Sequence, residues 1–97
     1  MTAYVIAEID VTDRDAYKIY ETVGADSVAR HGGRFLAQGG RSAGLEGAAP
    51  KRIMVIEFAS MEAAQRWYES ADYRDARTIR AIAGKSRFVV VEGAPGA

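Results

Sequence analysis

The sequence contains no cysteine. That absence excludes disulfides, thiolate zinc sites, iron–sulfur clusters and cysteine nucleophiles together. Histidine occurs once, as His31, so a transition-metal site has almost no ligands to draw on and no metal is expected. Neither sign of charge is in excess: 13 Lys plus Arg balance 13 Asp plus Glu. A nucleic-acid binder ordinarily carries a basic surplus, so no nucleic-acid partner is expected. No apolar run approaches the roughly 20 residues that span a bilayer, so no membrane partner is expected either. Met1-Thr2-Ala3-Tyr4 lacks the basic start of a secretory signal, and Glu8 and Asp10 interrupt the apolar stretch that follows. A cytoplasmic location is the expectation.

What is present suits one small α+β domain over residues 1–97. Hydrophobic residues make up 48% of the 97, which excludes disorder and supplies one core. Residues 3–11 alternate as a strand, with Val5, Ala7, Ile9 and Val11 on a wholly apolar face and Tyr4, Ile6, Glu8 and Asp10 on a mixed one. Thr12 or Asp13 then caps a helix whose Ala16, Tyr17, Tyr20, Val23, Gly24 and Val28 recur at helical spacing. His31-Gly32-Gly33 ends it. Residues 34–38 and 51–58 read as further strands, joined by a glycine-rich connection, residues 39–50, longer than a tight hairpin needs. Ser60 caps a second helical segment that carries Trp67 and Tyr68, breaks at Ser70 and Asp72, and restarts through Tyr73 towards Gly84. Residues 88–92 give the last strand, and 93–97 a frayed tail.

The order β-α-β-β-α-β predicts a ferredoxin-like fold: a four-stranded antiparallel sheet with strands 1 and 3 central and both helical segments on one face. The other face is left bare, and strand parity assigns it Tyr4, Ile6, Ile53, Val55, Phe88 and Val90. So large an apolar area predicts a homodimer formed through the bare sheet faces.

Several motifs fall short. The segment Gly39-Gly40-Arg41-Ser42-Ala43-Gly44 precedes a strand and lacks the Gly-Lys-Ser/Thr of a phosphate-binding loop. The third strand, residues 51–58, lacks the glycine and spaced aromatics with which an RNA-recognition module stacks bases.

The ordered set Ala3-Tyr4-Val5-Ile6-Ala7, Asp15-Ala16-Tyr17-x-x-Tyr20, His31-Gly32-Gly33-Arg34-Phe35, Leu45-Glu46-Gly47, Glu57-Phe58, Glu62-Ala63-Ala64-x-x-Trp67-Tyr68-x-Ser70 and Tyr73 resembles the family catalogued as domain of unknown function 1330, within the dimeric α/β-barrel superfamily. The resemblance implies a ferredoxin-like subunit and a dimer whose two sheets form a barrel. It implies no activity. Relatives in the superfamily range from cofactor-free monooxygenases and isomerases to haem enzymes and ligand-binding domains, and borrowing from them is analogy of fold.

Few side chains are suited to chemistry. His31 is a candidate general acid or base, or a helix C-terminal residue favoured by the dipole. Arg34 follows its glycine corner and is the second catalytic candidate. Arg34 and Arg52 are the best members of an anion site that Arg41 and Lys51 could join, or else solvated strand ends. Glu8, Glu57 and Glu92 are assigned by parity to the bare face, as an acid–base cluster or as polar rim of an interface; on a parallel alignment of strands 1 and 3, Glu92 falls at the opposite end. Trp67 and Tyr20 are candidate walls for a planar ligand, or core. The expected substrate-binding set is therefore Arg52, Trp67, Tyr20 and Glu57, with His31 and Arg34 catalytic and no metal or organic cofactor. Three functions stay open: a cofactor-free enzyme acting on a small organic acid or planar metabolite, a binding or sensing module, and a domain that only dimerises.

Overall fold

The alternation in the first segment becomes β1, Ala3–Val11, in which Ala3, Val5, Ala7 and Ile9 are buried and their neighbours are partly open. A computed structural model describes residues 1–96. Asp13 starts α1, Arg14–Arg30, its Oδ1 accepting the Ala16 N–H at 3.1 Å. The helix ends at His31, and Gly32 then turns the chain with φ +75°, the left-handed region that glycine enters without strain. Strands β2, Arg34–Gln38, and β3, Ile53–Phe58, follow. Ser60 caps α2, Met61–Glu69. Ser70 both closes α2, donating to the Trp67 carbonyl at 2.7 Å, and caps α3, Ala71–Ala83, accepting from the Tyr73 N–H at 3.2 Å. The second helical segment is thus two helices, split where the sequence offered a fresh cap. Strand β4 spans Gly84–Glu92 and starts four residues earlier than expected; Gly84 already pairs with Val11. Of the expected tail, Gly93 donates to the Thr2 carbonyl at 2.8 Å, and Ala97 lies outside the described residues.

The sheet order is β2-β3-β1-β4, and β1 is antiparallel to both its neighbours. Helix α1 returns the chain so that β2 starts in the direction of β1, and the β2–β3 connection then reverses it. Strand β3 therefore runs against β1, which corrects the parallel alignment of strands 1 and 3. Glu57 sits opposite Tyr4 and Glu92 opposite Ala3, so these two share one end, while Glu8, opposite Ile53 and Arg87, is at the other.

Register also corrects the faces. Residues opposite one another in a ladder share a face. Phe88 is opposite Ala7 and Val90 opposite Val5, so both lie on the helix-covered side, where they pack against the core. Val89 and Val91, 44% and 48% exposed, take their place on the bare face. Glu92, paired with buried Ala3, is on the covered side as well. The cause is local: Phe88-Val89-Val90-Val91 is apolar at every position, so β4 carries no alternation from which to read parity.

The fold is ferredoxin-like, with all three helices on one side of the sheet. Between the layers Phe58, Trp67 and Tyr73 stack, with ring centroids 5.3 Å and 4.2 Å apart in succession. Trp67 is 1% exposed, and its indole Nε1 donates to Ser27 Oγ at 3.0 Å, which in turn donates to the Gly24 carbonyl at 2.7 Å. Among the described residues every buried side-chain nitrogen and oxygen has a hydrogen-bond partner.

Candidate functional site

Helix α1 crosses the sheet with Tyr17, Tyr20, Glu21 and Gly24 on its inner side, one to two turns apart. Between this stripe and β2–β3 lies a crevice whose opposite wall includes Phe35, Gln38, Met54 and Ile56. The space totals about 390 Å³ counting its open mouth, but only about 20 Å³ admits the centre of a water molecule. That inner space suits one water. A larger guest enters only if the walls part.

Arg52 stands beside the residues that line this space. It is the last residue before β3, so its side chain leaves the sheet edge and folds back onto α1. Its Nε donates to Tyr17 Oη at 2.7 Å, its Nη2 lies 3.1 Å from Glu21 Oε2, and its guanidinium sits 5.1 Å from the Tyr17 ring centre. Gly39 supports that pose. A Cβ there would come within 2.5–2.6 Å of the guanidinium, and its φ of +73° is one that glycine alone holds cheaply. Tyr17 has its phenol pushed above the usual value of 10.0, mainly by burial, with Arg52 opposing. The ion pair is half-open to water and contributes little to stability. Its significance is positional, because an arginine carries five donors and Tyr17 and Glu21 engage two of its three nitrogens.

Deeper in, Tyr20 Oη lies 2.8 Å from Tyr73 Oη, and Arg80 Nη1 donates to Tyr73 Oη at 2.8 Å. Arg80 also lies 4.2 Å from the centre of the Phe88 ring. Burial, then the neighbouring Tyr73, push the Tyr20 phenol far above its ordinary range, so it stays protonated.

The remaining expected site residues are placed elsewhere or differently. His31 is the C-terminal cap of α1, and its Nε2 lies 3.4 Å from Asp72 Oδ2 on α3. Arg34 is on the bare face, opposite Glu57 in register and 3.1 Å from its Oε1. The structure therefore joins Arg34 to Glu57 and His31 to Asp72, on opposite sides of the sheet, and does not bring His31 and Arg34 together. Trp67 touches the crevice from the core side. Glu8 approaches Arg87 at 3.6 Å, so the three strand glutamates do not converge. Among the described residues no three His, Asp or Glu are grouped to hold a metal ion, and no helix is long and apolar enough to cross a membrane.

The pairings of Arg52 with Tyr17 and Glu21 and of Arg80 with Tyr73 are seen only in the folded chain. The signal for the first was there: Tyr17 and Glu21 are four apart on one helix and form a ready clasp for a cation. A second groove of about 310 Å³ runs between α2 and β4, lined by Val5, Ala64, Tyr68, Phe88, Val89 and Val90 among others. It is wider than the crevice, but its lining holds no arginine or lysine, and its polar side chains are Gln65, Tyr68, Glu69 and Trp67, whose indole N–H is already given to Ser27.

The family model described as a domain of unknown function (DUF1330) matches residues 2–94. Among solved structures, the chain is similar to a protein of unknown function from Rhodopseudomonas palustris, at 18% identity over 96% of this chain and 82% of that one, with a TM-score of 0.77. It is similar to a dimeric ferredoxin-like protein of unknown function from Jannaschia sp. CCS1, at 10% identity over 96% and 100% of the two chains, with a TM-score of 0.76. It is also similar to SnoaB, a cofactor-independent oxygenase from Streptomyces nogalater, at 15% identity over 96% and 93%, with a TM-score of 0.58. At such identities the likeness is one of fold. No match was found among curated proteins.

Proposed function

The chain belongs to the domain of unknown function (DUF1330) family, and from the crevice geometry we propose that it is a homodimeric protein that takes a small planar organic acid between α1 and the sheet and acts on it without metal or organic cofactor. One observation carries this reading. A guanidinium with donors to spare stands beside a narrow space walled by Tyr17, Tyr20, Phe35 and Met54. A flat apolar body suits those walls, and a carboxylate suits Arg52, which binds such groups in bidentate fashion. Entry requires the Arg52–Glu21 pair to part, and the acid's carboxylate takes the place of Glu21. The wider groove under α2 has the volume but no arginine or lysine in its lining to hold a carboxylate.

The homodimer is supported by the apolar strip on the bare face and by the dimeric state of the Jannaschia neighbour. The cofactor-free chemistry is supported by analogy: the fold houses such chemistry in SnoaB. His31, held by Asp72, does not line the crevice. That favours, as a second reading, binding or sensing with no turnover at the same site.

A thermal-shift screen with small aromatic and aliphatic carboxylates tests the site. A ligand at 100 times its dissociation constant adds about 2.7 kcal/mol, which raises the midpoint of a domain this size by about ten degrees or more. Arg52→Met, which keeps the stem and removes the charge, is expected to abolish the shift. His31→Ala is expected to leave it intact. Midpoints unmoved across the panel, or moved equally in Arg52→Met, would refute the site.

A further inference from the structure

The buried tyrosine pair has one proton more than its contacts use. Tyr20 and Tyr73 each carry a hydroxyl hydrogen, and their single 2.8 Å contact accommodates one of the two. The direction of the chain follows from Arg80. That guanidinium only donates, and it donates to Tyr73 Oη. If Tyr20 were the donor to Tyr73, the Tyr73 oxygen would accept twice, and its own hydrogen would be left facing a cation and aromatic rings. Tyr73 is 0% exposed, so water could not rescue it. In the reverse order Arg80 donates to Tyr73 and Tyr73 donates to Tyr20, and the one hydrogen left over is that of Tyr20, at the crevice wall and not in the core. Tyr20 lines the crevice and Tyr73 does not.

Gly24 keeps room beside that hydroxyl. The three atoms nearest to a Cβ placed on Gly24 all belong to Tyr20: ring carbons at 3.4 Å and 3.5 Å and the hydroxyl oxygen at 3.7 Å. Glycine in mid-helix costs about 1 kcal/mol relative to alanine, and alanine would fit here without collision. The helix thus forgoes stability at the position where a methyl group would occupy the space next to the phenol.

We infer that the Tyr20 hydroxyl is a hydrogen-bond donor directed into the crevice, and that the molecule received there carries, besides a carboxylate for Arg52, a second oxygen acceptor of phenolate, enolate or keto type. This rests on the crevice reading above and narrows its substrate class to hydroxyaryl or keto acids. Tyr73 and Arg80 are positioning residues. The cation at the far end holds the Tyr73 oxygen and so fixes the direction in which the two hydroxyls donate. The high pKa of Tyr20 keeps that donor protonated across the physiological range.

The test compares three probes on the intact protein by calorimetric titration: benzoate, which needs only Arg52; nitrobenzene, which has the nitroaryl body without a phenolate oxygen; and 4-nitrophenolate, which adds that oxygen. The wild type is expected to bind 4-nitrophenolate more tightly than nitrobenzene by on the order of tenfold, the worth of a hydrogen bond to a charged acceptor. Tyr20→Phe is expected to lose that preference and keep benzoate binding. Gly24→Ala, whose added Cβ meets nothing nearer than 3.4 Å, is expected to keep its thermal midpoint and lose 4-nitrophenolate binding. Benzoate binding with no preference for the phenolate in the wild type, with the preference kept in Tyr20→Phe, or with full phenolate affinity in Gly24→Ala, overturns the donor and leaves the crevice. Failure of both benzoate and 4-nitrophenolate to bind overturns donor and crevice together.

Discussion

The two faces of this one sheet solve the problem of apolar surface in opposite ways. On the helix side, Val5, Ala7, Ile9, Met54, Ile56 and Phe58 are closed over by the helices, and the polar groups drawn into that layer are paired, Trp67 with Ser27, Tyr73 with Tyr20 and Arg80, Tyr17 with Arg52, with one Tyr20 hydrogen to spare. On the bare side, Tyr4, Ile6, Ile53, Val55, Val89 and Val91 have no helix above them, and polar side chains appear as cross-strand pairs such as Arg34–Glu57 and Glu8–Arg87. The covered side spends polar groups on specificity, and where it is left slightly open, at the α1 crevice, it offers a ligand both charge and a donor. The bare side offers area, which suits a second copy of the chain better than a small molecule.

Substitutions on the two faces are expected to fail differently. The largest effect belongs to Trp67→Ala, which empties the centre of the covered layer and leaves Ser27 without its donor. A loss of about 3–5 kcal/mol is expected in urea unfolding, a large share of the roughly 5–15 kcal/mol that holds a domain together. Ile6→Asp on the bare face is expected to leave the circular dichroism spectrum unchanged while light scattering falls from dimer to monomer mass. A dimer that survives it would show that the bare face is not the interface.

A smaller, pH-dependent effect separates the layers again. Burial raises the Tyr20 and Tyr73 phenols above the ordinary 10.0. The folded chain therefore holds protons that the unfolded chain releases, and the stability this provides is full below about pH 10 and declines as the pH rises beyond it. Urea midpoints are expected to be level up to that point and to fall above it, less steeply in Tyr73→Phe. The smallest effect is reserved for Arg34→Ala. Its ion pair with Glu57 is exposed, so stability should change by no more than about 0.5 kcal/mol.

The same contrast explains what could be read from the chain. Strand β1 alternates strictly, so its core face was plain, and Asp13, Ser60 and Ser70 announced their helices because a side-chain oxygen before an apolar run has few other uses. Strand β4 faces one residue out of step with its expected parity, because its four successive apolar positions say nothing of direction. Arg52 and Tyr20 could be singled out by residue type, and both lie at the crevice. Their partners could not, because the Arg52 clasp depends on a contact 31 to 35 residues distant and Tyr20–Tyr73 on one 53 distant. His31 and Arg34, adjacent to one corner in sequence, part company because the strand that starts at Arg34 sends its side chain through to the other face of the sheet.

The central claim, that an organic acid is taken up at Arg52, is tested most directly by titrating benzoate into isotope-labelled protein and following its NMR spectrum. The account predicts progressive, saturable shifts at the Arg52 Nε and the Tyr17, Glu21 and Gly24 amides, and none of these in Arg52→Met. Shifts confined to Gln65, Glu69 and Val90 beside the β4 groove, or to the bare-face residues Ile6 and Val55, would contradict it, as would a spectrum that benzoate leaves unchanged.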